Sequence, residues 1–220
     1  MQSNNLSDFL VTEQPNHDAV PDESYDNQDP IGLDCLTDLD TIVMQKMPKK
    51  SGIQWVMTDK DDDEIFTIVK KAAGIKGHLF HSFSKVVYDN MDRQVFKIKR
   101  EGSYITDAPL TILSPNGEVM GYVKPVEGFI GHSFRIKNAE KKTLFRINCP
   151  ALYQVPVMTD VVHKIYTKNG EKIGKIVKKC GSLKGLLPNS LPKYEVTFPI
   201  ALDNNQKCLI LAAVQIIKKF

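Results

Sequence analysis

The run CLILAAVQII, Cys208–Ile217, is apolar around its whole circumference, with Gln215 its only polar member. A helix with no polar face has to be enclosed, either in protein or in lipid. Length separates the two cases. At about 1.5 Å per residue the run reaches roughly 15 Å, whereas bilayer hydrocarbon is about 30 Å thick and takes about twenty apolar residues to cross. Lys218 and Lys219 end the run. The rest of the chain must therefore supply a container for a short central helix, expected over about 207–217. A shallow or re-entrant membrane segment is the alternative.

The container is legible as a series of hairpins. Gln54–Met57 and Ile65–Lys70 flank the acidic turn Asp59–Glu64, and Lys85–Tyr88 and Val95–Lys99 flank Asp89–Arg93. Leu110–Leu113 and Val119–Val123 flank Ser114–Glu118; Ser133–Lys137 and Leu144–Ile147 flank Asn138–Lys142; Lys164–Thr167 and Lys172–Val177 flank Lys168–Glu171. Asn, Asp and Gly in such turns tolerate the positive φ that tight reversals need. Pro109, Pro125, Pro150 and Pro156 are expected in the connections, since proline cannot donate to a central ladder. Upstream, Leu33, Leu36, Leu39 and Ile42 recur at helical spacing, and Thr37 with Asp40 resembles a cap, so a short helical turn leads into a strand at Thr41–Lys46. Serial antiparallel strands avoid open edges by closing into a barrel. The apolar rows Val86/Tyr88, Ile112, Phe134/Ile136 and Ile165 are expected on its inner face.

Charge divides the chain in two. Residues 1–30 hold seven acids and no Lys or Arg, and are read as a disordered acidic tail; residues 31–220, the folded domain, hold 19 acids against 29 bases, a formal +10. A basic body points to an anionic partner, a membrane leaflet or nucleic acid. Lys175, Lys178, Lys179, Lys184, Lys218 and Lys219 are the candidate contacts, although a solvated strand face accounts for the same lysines. Four scattered cysteines without a CxxC pair, and a start lacking the basic flank and apolar run of a secretory signal, give reduced thiols and an intracellular setting as the expectation. Nucleotide loops, GxSxG, HExxH and paired CxxC motifs are absent. His78 and His81 form an isolated HxxH, and Asp59–Glu64 lacks the register of a calcium loop. No nucleophile or acid–base pair stands out, so an ordinary hydrolase or transferase is not expected.

Several short motifs, in order, resemble the phospholipid scramblase family. They are Gly32-Leu33 with Leu36-Thr37 and Asp40; Phe83 with Tyr88-Asp89-Asn90-Met91, where Asp92 replaces the family's usual glycine; Gly121-Tyr122-Val123; Phe134-Arg135-Ile136-Lys137-Asn138; Gly174-Lys175-Ile176; and Phe198-Pro199 with Leu202-Asp203 before the apolar helix. The resemblance covers about residues 31–220. It implies a mostly β fold, a closed antiparallel barrel of about twelve strands of tubby-like type around the buried C-terminal helix. It also implies calcium-triggered, ATP-independent, bidirectional movement of phospholipids between leaflets at the cytoplasmic face of the plasma membrane. The family's acylated cysteines have no counterpart in Ser103–Ser114, and its acidic calcium segment matches Ser190, Leu191, Pro192 and Lys193, leaving Asp203 as the candidate calcium ligand by resemblance. The rival readings are a non-enzymatic membrane-surface or adaptor module that binds anionic lipid or protein partners, and a nuclear role through the basic segment Gly174–Lys184. Nucleic acid is the less expected partner.

Overall fold

The computed structural model describes residues 32–49, 52–71, 82–101, 108–127, 132–151, 159–180 and 191–217. The acidic segment 1–30, His78, His81, Pro156, Lys184, Lys218 and Lys219 lie outside them.

One turn design recurs in each of the five hairpins. The first residue uses its side chain to accept the N–H four residues on: Asp59 from Asp63, Asp89 from Arg93, Ser114 from Glu118, Asn138 from Lys142 and Thr167 from Glu171. The fourth residue turns left-handed, at Asp62, Asp92, Gly117, Lys141 and Gly170, with φ between 59° and 93°. A register shift follows in the ladder beside every turn. This is a type I turn closed by a one-residue bulge, which three-residue hairpins favour. It gives a physical reason for glycine in the Asp-Asn-Met-Gly pattern: Asp92 occupies a left-handed position that glycine adopts at no steric cost.

These hairpins pair β2 (Gly52–Thr58) with β3 (Glu64–Lys70), β4 (Phe83–Asp89) with β5 (Gln94–Arg100), and β6 (Leu110–Leu113) with β7 (Val119–Glu127). They also pair β8 (His132–Asn138) with β9 (Thr143–Asn148), and β10 (Val161–Thr167) with β11 (Lys172–Lys178). β1 (Thr41–Lys49) precedes them and β12 (Lys193–Thr197) follows. The twelve strands close into one antiparallel barrel in which each neighbours the next and β12 meets β1, Thr41 opposite Thr197 through Gln45 opposite Lys193. The closing strand KYEVT was not among the hairpins read from the sequence. It is short, and only Tyr194 and Val196 alternate inward.

Inside runs α1, Asn204–Ile217, four residues longer at its start than the apolar run. The extra turn is polar because it sits at the barrel mouth. Asp203 accepts the Gln206 N–H at 2.7 Å, the ordinary N-cap bond. Asn204 donates to the Thr37 hydroxyl at 3.1 Å, and the Lys207 ammonium donates to the carbonyls of Leu36 and Thr37 at 2.7 and 2.8 Å. Burial pushes the Lys207 pKa down, while Asp38, Asp203 and Asp40 pull it back. From Lys207 to Ile217 every residue is buried. Thr37 and Asp40 therefore start no helix. The turn ahead of β1 is a single 3-10 turn, Asp34–Leu36, with Thr37 at its end and Leu33 and Leu36 packed into the core.

Two further sequence expectations are corrected. In β4 the inward row is Lys85, Val87 and Asp89, one residue out of step with the expected Val86/Tyr88. The polar Lys85 points inward because it donates to Gln215 of α1 at 2.6 Å, so each compensates the other's polarity. Pro125 lies within β7, not in a connection. It faces β8 but is past the last β6 pairing, Leu110 with Val123, so no ladder bond is lost on that side. The inner rows Ile112, Phe134/Ile136 and Ile165 are buried as expected.

Two motif glycines are places of close approach. A Cβ on Gly121 would overlap the Lys137 carbonyl oxygen and come within 2.9 Å of both δ-carbons of Leu209 on α1. A Cβ on Gly174 would overlap the Thr197 carbonyl oxygen.

Candidate functional site

The strand directions put all five tight turns and the start of α1 at one end of the barrel, and the end of α1 at the opposite end. Those turns are rich in carboxylates, led by Asp59–Glu64. The interior offers no reactive constellation among the described residues. Burial pushes the Cys149 thiol up to about 12 and raises Cys208 well above its ordinary value, so neither is a ready nucleophile. No group of three His, Cys, Asp or Glu residues that could hold a metal occurs among them.

His163 is the one inward imidazole described, 4% exposed, and its Nδ1 has no hydrogen-bond partner there. Burial, aided by Lys178, pushes its pKa down to about 4. The native state therefore stays unprotonated where the unfolded chain, near 6.5, already binds a proton, so stability falls as pH drops from 6.5 towards 4. We expect about 2 kcal/mol of this loss by pH 5. His163→Leu should remove that component, read as the difference between urea midpoints at pH 7 and pH 5. An unchanged difference would show that the loss arises elsewhere.

The outer wall carries the charge. β8 through β11 contain no Asp or Glu. Their outward positions hold Arg135, Lys137, Arg146, Lys164 and Lys175, joined by Lys124 from β7. Register lines them up: Lys124 opposite Arg135, Arg135 opposite Arg146, and Lys164 opposite Lys175. Like charges directly across a ladder destabilise the sheet, and the ion pairs formed among the described residues neutralise none of the six. These bases, apart from Lys175, escaped the sequence reading because they are dispersed along the chain. The usable signal was the absence of acids from four successive strands.

Of the lysines singled out by sequence, Lys175 joins this wall. Lys178 is exposed at the last position of β11, opposite Tyr194. Lys179 is held by Glu195 at 3.1 Å and Asp160 at 3.3 Å, so its charge is compensated; the bond to Glu195 leads in raising its pKa. Asp203 is spent on capping α1 and Asn204 on Thr37, while the Asn205 side-chain oxygen is buried. Calcium takes six to eight oxygens, and these three residues do not fit it.

Among the described residues, no helix is long and apolar enough to cross a membrane. The basic outer wall along β7–β11 does not suit the hydrocarbon interior of a bilayer, since an Arg or Lys at the bilayer midplane costs about 2–4 kcal/mol. Fold and surface together define a closed barrel with a sealed helix and a cationic exterior. The Scramblase family model matches residues 21–219, and the chain belongs to that family. A solved Arabidopsis thaliana protein shares the fold, with TM-score 0.51 and 12% identity over 86% of this chain and 99% of that one. A search of curated proteins found no match.

Proposed function

We propose that the protein works at the surface of anionic phospholipid bilayers, docking through the basic wall of β7–β11, and there moves phospholipid between leaflets in both directions without ATP. The observation that carries the docking is the wall of Lys124, Arg135, Lys137, Arg146, Lys164 and Lys175, none of them neutralised by an ion pair among the described residues. Each base near an anionic leaflet contributes about 1 kcal/mol, so six supply ample docking energy. Family membership supports the movement, which needs no nucleophile, only a lowered cost of carrying a headgroup through hydrocarbon. Because α1 is enclosed, the lipid-facing chemistry belongs to the barrel exterior. The cytoplasmic face of the plasma membrane, rich in anionic lipid, is the setting that suits it.

The test uses the full chain and vesicles with and without phosphatidylserine. Sedimentation should give binding only to the anionic vesicles, weakening steeply between low and physiological salt. A labelled-lipid assay, run with and without calcium, should show flux above empty vesicles. Binding without flux would leave the non-enzymatic membrane-surface adaptor reading, which the sealed helix favours. Salt-independent binding, or none, would overturn the docking.

A further inference from the structure

The wall is more than a diffuse field of charge. Across β7 to β10 one row reads Lys124, Arg135, Arg146, Tyr166, each directly opposite the next in register. Arg135 and Arg146 are both exposed and sit at its centre. Residues directly opposite on a sheet face have Cβ atoms about 4.5–5.5 Å apart, so the two arginine side chains leave the sheet side by side. A surface selected only for solubility would alternate signs here.

We infer that Arg135 and Arg146 form a seat for a phosphate monoester, the headgroup chemistry of phosphatidic acid, with Lys124 and Tyr166 flanking it. The inference rests on the membrane-surface reading and gives it a lipid preference. Arginine presents a planar fork of donors that grips phosphate oxygens two at a time. A monoester carries about −1.5 to −2 at neutral pH and three terminal oxygens, so one group can engage both forks and neutralise both charges. A phosphodiester or a carboxylate offers one charge and satisfies one arginine. The bilayer is the source, because the outer wall of a barrel is convex and offers a small soluble anion no enclosure; in a leaflet the surrounding lysines hold the headgroup in place.

The experiment is vesicle sedimentation with the full chain, comparing phosphatidic acid with phosphatidylserine in vesicles matched for surface potential. Wild-type protein should bind the phosphatidic acid vesicles about tenfold more tightly. Arg135→Gln with Arg146→Gln should bring the two affinities together, while Lys60→Gln with Lys141→Gln, at the tight-turn end, should keep the preference. Equal affinities in the wild type, or a preference that survives the arginine changes, would overturn the seat and leave bilayer docking intact. Failure to bind any anionic vesicle would remove both. Displacement by glycerol 3-phosphate at concentrations comparable with the lipid, or tighter retention of duplex DNA than of vesicles, would overturn the bilayer as the source.

Discussion

Replacing Leu211 with Asp should unfold the barrel at neutral pH. Leu211 is fully buried at the middle of α1, with apolar residues around it on both the helix and the strands. The change removes about 2–5 kcal/mol of leucine burial and packing and adds the cost of a carboxylate with no partner, itself several kcal/mol. Together these consume most of a typical domain stability of about 5–15 kcal/mol. Leu211→Met keeps the volume and should cost less than about 1.5 kcal/mol. Circular dichroism melts of the three proteins would read this directly. A Leu211→Asp protein that melts like wild type yet loses vesicle binding would mean that α1 faces lipid, contrary to its enclosure.

Gly121→Val should be the second most damaging single change, at about 4 kcal/mol. The side chain would enter space already held by the Lys137 carbonyl and the Leu209 methyls. Overpacking ordinarily costs about 1–3 kcal/mol, and here one obstacle is backbone that cannot rotate away. A double-mutant cycle separates the two obstacles. Leu209→Ala alone should lose about 3 kcal/mol, and Gly121→Ala alone about 2. Combined, they should lose about 1–2 kcal/mol less than the sum, because the alanine Cβ then meets only the carbonyl. Strict additivity, measured by urea unfolding, would mean that β7 and α1 are not pressed together at this point.

Much of the barrel was readable because its local signals agree. Asp59, Asp89 and Asn138 begin turns whose chemistry is confined to five residues, so neighbours in sequence suffice to locate them. Where a residue's partner is distant in the chain, the same reasoning fails. Lys85 reads as a solvent-facing residue until Gln215, 130 positions away, is placed opposite it. Pro125 reads as a strand breaker until the length of β6 is known. Tyr194 and Val196 make too short a pattern to announce a strand, and only pairing with both β1 and β11 makes them one.

The candidate site divides in the same way. Lysines adjacent in sequence drew attention at Lys175–Lys184, yet Lys179 proves to be neutralised by Asp160 and Glu195. The arginines that matter most, Arg135 and Arg146, come from different strands, and neither is conspicuous in its own segment.

From its apolar run alone, the chain determined that a short helix had to be enclosed, since ten residues without a polar face can neither lie in water nor cross a bilayer. Turn chemistry then determined that the enclosure was made of hairpins. Tertiary structure decided which face of each strand looks inward and which side chains stand opposite one another. Register is a pairwise property of strands, set by bulges and by what the interior will accept. It turned a dispersed excess of bases into an aligned cationic row on the outer wall.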